Sequence, residues 1–289
     1  MMIVYLNGDF MPVEQAKISP MDRGFLFGDG IYELIPSHSG RFVGFNLHLD
    51  RMNNGLDAIG IVRPDISVRQ WLEISQQLLE RNEGTDLGIY LHITRGDEGR
   101  RYHAFPEKVT PTVFAMTTPI FPFLGEPDSE TQPGLSCYTA QDKRWKRCNV
   151  KSTALLGNVL HFQDSYSRGG NECILYNADN ELTEGSASNV VIVNDNQIIT
   201  PPLDEQILPG ITRHLMIESL RKEGGFGVSE RVIHMDEVRG ADEVWVTNSG
   251  VHILPVVTLD GRPVADGKVG PVWEKARACY NRHCFDLNV

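Results

Sequence analysis

The chain has 289 residues, enough for two domains or one large one, and its 41% hydrophobic and 22% charged residues are the balance of a soluble globular protein rather than a disordered one. Its 38 acids against 27 bases leave a net charge of -11, which disfavours a nonspecific grip on phosphate backbones or anionic lipid, so no nucleic acid and no membrane is expected as a partner. The opening residues lack a basic start before a long apolar run, and the five cysteines include no CxxC pair, so we expect no signal peptide, a cytoplasmic protein with reduced buried thiols, and no metal.

Residues 2 to 5 are apolar and β-prone, Asn7-Gly8-Asp9 is turn chemistry, and Ile31 to Ile35 is a further strand candidate. Asn46 is placed to cap a helix in which Leu49, Met52, Leu56 and Ile59 recur at spacings of three and four, with Gly60 ending it. Ser67 and Gln70 form a capping box before Trp71, Ile74 and Leu78, the apolar stripe of a second helix. Ile89 to Thr94 and Thr112 to Met116 read as strands. From Pro119 to Pro133 there are four prolines, one glycine and three acids, which interrupts every period around it and places a linker there. Beyond it we expect a strand near Leu135 to Thr139, a helix after Lys151, and strands at Cys173 to Asn177 and Asn189 to Val193. A helix from Gly210, strands at Glu243 to Thr247 and Ile253 to Leu259, and a closing helix from Val272 complete the order. Without strict βαβ alternation the class is α+β.

Common nucleotide and hydrolase motifs are missing. There is no GxxxxGK(S/T), no GxGxxG opening a helix, no HExxH and no GxSxG. Four quieter features remain. Pro209-Gly210-Ile211-Thr212 opens a helix, and free N–H groups there with the Thr212 hydroxyl suit an anion, although alone this is an ordinary helix start. Thr247-Asn248-Ser249-Gly250 follows a strand and offers hydroxyl and amide donors, or is simply a polar turn. Lys143 to Arg147 is a basic run, and such runs usually mean a solvated face, the reading kept for Lys143 and Lys146, but Lys151 sits among Val150, Ala154, Leu155 and Leu156, where a partly desolvated amine can act as a nucleophile. Glu184 lies among small residues from Thr183 to Asn189, in what reads as a strand connection, where a carboxyl can accept a proton or stabilise a cation.

Read together, these pieces resemble the fold-type IV pyridoxal-phosphate enzymes, most closely the bacterial D-amino-acid aminotransferases. Seven ordered segments carry the likeness: DRGFLFGDGIYE at 22–33, HLDR at 48–51, RRYHAFP at 100–106, RWKRCNVKS at 144–152, LTEGSASNV at 182–190, LPGITR at 208–213 and VWVTNSG at 244–250. The resemblance implies a small N-terminal α/β domain over 1–118, a linker over 119–133, and a larger C-terminal cofactor-binding domain over 134–289 with a mixed, barrel-like sheet and helices. It implies pyridoxal 5′-phosphate as cofactor, with Lys151 as the Schiff-base lysine and Glu184 as partner of the pyridine nitrogen. Arg51, Ile211, Thr212 and Ser249 match positions that hold the phosphate, joined by Gly210 and Asn248 of the same segments, and Leu208 matches the residue bracing the ring.

The same resemblance assigns Arg101, His103 and Tyr32 to the substrate carboxylate, where a planar guanidinium offers two parallel N–H bonds. Arg100 stands beside Arg101, and either can serve as the clamp. The implied reaction is transamination of a D-amino acid with a 2-oxo acid, of the D-alanine and 2-oxoglutarate type, by a homodimer whose arginine–histidine loop reaches the neighbouring subunit and whose site lies between the two domains. The alternatives on this fold are aminodeoxychorismate lyase, which needs no carboxylate trap, and aminotransferases of branched-chain L-amino acids or (R)-amines. A noncatalytic protein holding an anionic partner on residues 143–147 is the reading from a different class. Pro36 departs from the usual strand continuation and is expected to alter one wall of the substrate pocket.

Overall fold

The structure, a computed structural model, describes residues 1–123 and 125–287; Leu124 of the expected linker and the last two residues of the expected C-terminal domain lie outside the described residues. The chain divides into two compact units, the first comprising Met1–Phe123 with Val150–Leu155 and the second 125–149 with Leu156–Leu287.

The first unit contains β1 (Ile3–Leu6), β2 (Asp9–Pro12), α1 (Arg23–Phe27), β3 (Gly30–His38), β4 (Arg41–Phe42), α2 (Phe45–Ala58), α3 (Val68–Arg81), β5 (Asp86–Thr94) and β6 (Thr112–Pro119). Its strands form one antiparallel sheet in the order β2-β1-β6-β5-β3-β4. Because side chains alternate along a strand, the odd-numbered residues Ile31, Ile35, Ile89, Leu91, Ile93, Val113 and Ala115 share one face. That face is buried against Leu49, Met52 and Leu56 of α2 and Trp71, Ile74 and Leu78 of α3. Each such side chain contributes about 1.5–3 kcal/mol on burial, so the even-numbered face is left to Tyr32, Tyr90 and His92.

Local chemistry sets the ends. The Ser67–Gln70 capping box is present on α3. Asn46, by contrast, is not the cap of α2: Gly44 is, in the left-handed region at φ 66, and the helix already begins at Phe45. The five residues of α1 are too few for a periodic signal; Asp22 starts that helix by accepting from the Gly24 N–H at 2.7 Å. Pro36 lies within β3 opposite Gly88 of β5, and its carbonyl accepts from Val43 N–H at 3.0 Å on the β4 side. Its missing N–H therefore falls on that same short edge, where a sheet tolerates proline.

The expected range 134–289 includes Lys151, whereas the contacts group its segment with the first unit. The Tyr32 N–H donates to the Lys151 carbonyl at 3.0 Å and the Thr153 N–H to that of Gly30 at 2.9 Å, and Ile31 bridges Ser152. β4 reaches only Ser37 and His38, so residues 150–153 cover the backbone edge that β3 would otherwise leave open.

The second unit contains β7 (Leu135–Gln141), α4 (Leu156–Ser167), β8 (Glu172–Tyr176), β9 (Leu182–Gly185), β10 (Asn189–Asn194), β11 (Gln197–Thr200), α5 (Ile211–Glu223), β12 (Gly227–Glu230), α6 (Met235–Arg239), β13 (Glu243–Asn248), β14 (His252–Leu259), β15 (Arg262–Pro263) and α7 (Pro271–His283). One mixed, curled sheet runs β12-β11-β10-β13-β14-β7-β8-β9, with β15 on β14. The pairs β11–β12, β14–β7 and β7–β8 are parallel. This is the α+β arrangement expected. Val190, Ile192, Val244, Val246, Leu254 and Val256 pack with Ile233, Met235 and Val238 in its core. The segment expected to connect two strands is partly a strand itself, since Leu182–Gly185 pairs with β8. All five cysteines are buried and outside any disulfide, and no helix among the described residues is long and apolar enough to cross a membrane.

Candidate active site

In the first unit the chemistry gathers around an acid on the wrong face. Glu33 has the parity of Ile31 and Ile35, points into the apolar core, and is fully buried. Its two oxygens accept from Arg51 Nε and Nη2, each at 2.7 Å, and His48 Nδ1 lies 2.7 Å away. Burial alone would raise this carboxyl; the Arg51 charge and then His48 outweigh it and hold it well below the usual carboxylate range. Burial lowers the His48 ring, Glu33 opposes that, and the Arg51 and Lys151 charges push it lower again. A neutral His48 donating from Nδ1 satisfies this arrangement. The Lys151 side chain is half-buried, with Nζ 4.2 Å from the centre of the Tyr32 ring, and that ring lies 5.8 Å from Tyr90. Lys151, Tyr32 and Arg51 are thus placed in one neighbourhood of this unit, with Glu33 and His48 added.

Arg100, Arg101 and His103 lie on the exposed loop between β5 and β6. Arg100 is 3.6 Å from Glu98 and stacks on Tyr102, whereas Arg101 makes no ion pair among the described residues. The Arg101 guanidinium stands 5.2 Å from the Phe27 ring, and the His103 ring lies 5.3 Å from it. Arg101 and His103 thus meet at the Phe27 ring.

In the second unit Glu184 is buried on β9 and is held from several sides. Arg144 Nη1 donates to it at 2.7 Å, the Leu208 N–H at 2.9 Å and Asn189 Nδ2 at 3.2 Å. Arg144 is anchored in turn by Asp142, at 2.8 Å, so this residue of the basic run points inward, while Lys143 and Lys146 are exposed as expected. Glu172 shapes the following turn, accepting from the N–H groups of Cys173, Ser186 and Ala187 and from the hydroxyls of Ser186 and Ser188.

Burial pushes the Glu184 carboxyl up to about 7, with Arg144 and the Leu208 amide pulling against it. A carboxyl raised on folding makes proton uptake favour the fold, an effect absent above about 7 and complete near the ordinary value of 4.5. The unfolding free energy of the protein without cofactor should therefore gain on that of Glu184→Gln as pH falls from 8 to 5, by up to about 3 kcal/mol. Urea titrations of both proteins at several pH values measure it, and parallel curves would contradict it.

Gly210 caps α5 without any side-chain bond, and Ile211 and Thr212 are buried behind it. A side chain at Gly210 would collide with the Asn189 carboxamide. Thr247 Oγ1 is buried and has no hydrogen-bond partner among the described residues. Ser249 is half-buried in the turn after β13. The Asn248 side-chain oxygen accepts from Gly250 and Val251 at 2.9 and 3.0 Å, so that oxygen shapes the turn. The N–H of Leu208 holds Glu184, and its carbonyl accepts from Asn189 at 2.9 Å.

Motif reading singled out neither Glu33, His48, Arg144 nor Glu172. A signal existed for three of them: Glu33 breaks the apolar parity of its strand, His48 stands three residues before Arg51 on one helix face, and Arg144 follows an acid two residues earlier.

Comparison with known proteins identifies the family. The family model for class IV amino-transferases matches residues 30–259. The D-alanine aminotransferase of Bacillus licheniformis is 37% identical over 274 residues, covering 94% of this chain and 93% of that protein. The D-alanine aminotransferase of Staphylococcus aureus strain MW2 is 35% identical over 281 residues, 97% of each chain. Among solved structures, the Escherichia coli branched-chain amino acid aminotransferase superposes with a TM-score of 0.86 at 24% identity, over 95% of this chain and 92% of that one. The branched-chain aminotransferase of the thermophilic archaeon Thermoproteus uzoniensis, with norvaline, gives 0.85 at 23% identity, over 99% and 95%. A further branched-chain amino acid aminotransferase, solved with pyridoxamine 5′-phosphate, gives 0.88 at 22% identity, over 98% and 94%. The structural likenesses establish the fold, and the sequence matches establish the lineage: the chain belongs to the class IV aminotransferases.

Proposed function

We propose that the chain catalyses pyridoxal-phosphate-dependent transamination between a D-amino acid and a 2-oxo acid, of the D-alanine and 2-oxoglutarate type. The observation that carries this reading is the return of residues 150–153 to β3, which sets the Lys151 amine against Tyr32 in the unit that also bears Arg101 and His103. The D-alanine aminotransferases similar over nearly the whole chain support the choice of D-amino acids.

The donor set fits the cofactor. An orphaned buried hydroxyl on Thr247 and an α5 start without a side-chain cap suit a phosphate, a half-buried amine suits an aldehyde, and a buried carboxyl suits a ring nitrogen. When bound, pyridoxal phosphate supplies an aldehyde that condenses with amines and a ring that draws electrons from the substrate α-carbon. Ile211, Thr212 and Ser249 would hold its phosphate, with Gly210 allowing close approach and Asn248 ordering the turn. Arg51 adds positive charge while Glu33 fixes its orientation. Leu208 would brace the ring. Glu184, kept in place by Arg144, would hold a proton at the ring nitrogen. Lys151 Nζ would take the substrate α-proton and return it, and Arg101, His103 and the Tyr32 hydroxyl would bind the substrate carboxylate.

The Arg101–His103 pair also separates this reading from a lyase of the same fold, which has no use for a carboxylate trap. We further propose a cytoplasmic homodimer. Five buried cysteines outside any disulfide suit a reducing compartment. α4 shows solvent a helical stripe of Leu156, Val159 and Leu160, exposed by 71, 56 and 62%, a face that another subunit would cover. Assaying D-alanine and L-leucine separately with 2-oxoglutarate tests the function: turnover with D-alanine is expected, and turnover with L-leucine alone would overturn the assignment.

A further inference from the structure

From Asp97 to the start of β6 the chain forms no helix and no strand, with only the single bridge between Asp97 and Asp22, yet this stretch carries Arg101 and His103. Its order must come from side chains, and one buried residue supplies most of it. Arg23, 3% exposed on α1, donates through Nη1 to the Tyr102 carbonyl at 2.5 Å and the Ala104 carbonyl at 3.3 Å, and through Nη2 to the His103 carbonyl at 3.3 Å. Three consecutive backbone carbonyls thus close on one guanidinium.

Arg23 is itself fixed. Nε donates to Asp29 at 2.8 Å and Nη1 to Glu98 at 3.2 Å, while Asp29 is pinned by Arg95 Nε at 2.8 Å and Nη2 at 3.0 Å. Arg95 also covers the Phe105 ring at 3.7 Å, holding the far end of the loop. Phe27, one turn after Arg23, lies against Arg23, Arg101 and His103 together. A planar fork of five donors can serve two acids and three carbonyls at once, with Nη1 sharing its two N–H groups among three acceptors; an ammonium group with three donors cannot.

We propose that Arg23 is the positioning residue of the carboxylate trap: by fixing the backbone of 102–104 it sets where Arg101 and His103 stand, and so governs substrate affinity rather than turnover. This rests on the reading that Arg101 and His103 bind the substrate carboxylate. The test compares holoenzyme with Arg23→Lys, Glu98→Gln and Arg101→Ala. In Arg23→Lys the KM for D-alanine and for 2-oxoglutarate should rise about tenfold with kcat within about twofold. Hydrogen exchange should quicken at amides 101–105 and stay unchanged along β5, and the visible cofactor band should be unaltered. Glu98→Gln, which keeps shape and loosens Arg23, should shift KM and exchange the same way by two- to threefold, and it carries the test if Arg23→Lys does not fold. Unchanged KM and unchanged loop exchange in these variants, alongside a raised KM in Arg101→Ala, overturn the role of Arg23 alone. A kcat loss in Arg23→Lys matched by cofactor loss overturns it too. Unchanged KM in Arg101→Ala instead refutes the trap, and the assignment with it.

Discussion

Lys151→Ala is expected to lower transamination by at least about 10³-fold, the scale of removing a group that both attaches the cofactor and moves the α-proton. The loss should be chemical rather than structural. The segment is held to β3 by backbone bonds, from Tyr32 N–H to the residue 151 carbonyl at 3.0 Å and from Thr153 N–H to the Gly30 carbonyl at 2.9 Å, which alanine retains. Val150, buried in the core of the first unit, anchors the same segment. The variant should therefore melt near the parent, and borohydride should fix no cofactor at position 151. Substantial retained turnover would refute the role of this amine.

Glu33→Gln should cause the largest stability loss of any single conservative change considered, about 3–5 kcal/mol, because it leaves a buried guanidinium without its charge partner. The carboxylate accepts from Arg51 through both oxygens at 2.7 Å, whereas a carboxamide accepts at one end only and turns an N–H toward existing donors. The pH dependence has a definite sign. A carboxyl held far below its ordinary value contributes stability that is present above the unfolded-state value of 4.5 and is lost only as pH falls through the lower folded value. The parent should thus keep its advantage over Glu33→Gln throughout the neutral range. Chemical denaturation followed by circular dichroism measures the difference, and a loss below about 1 kcal/mol would show that the ion cluster is not structural. Released from Glu33, Arg51 should also hold phosphate less well, so cofactor affinity should fall with stability.

The elements with strong periodicity were legible: the Trp71, Ile74 and Leu78 stripe with its Ser67 cap became α3, and the apolar runs at Ile89 and Val190 became central strands. Short elements were not. α1 and β9 are five and four residues long, too brief for any period to emerge. Glu184 was expected in a loop of small residues, but pairing with β8 drew it into a strand, a long-range contact that local propensity cannot register. The placement of Lys151 failed to follow chain order for a similar reason: the free edge of β3 recruits residues 150–153 from beyond the linker. Individual site positions came from the resemblance, while the residues that hold them did not. Arg23, Glu33, Arg144 and Glu172 each have partners far along the chain, 81, 18, 40 and 14 residues away, and only the fold brings such pairs together.

One half-reaction reads the central claim most directly. The chain purified with pyridoxal phosphate should absorb visible light, lose that band on adding D-alanine alone, and regain it on adding 2-oxoglutarate. A colourless protein, or a band that responds to L-leucine and not to D-alanine, would contradict the account.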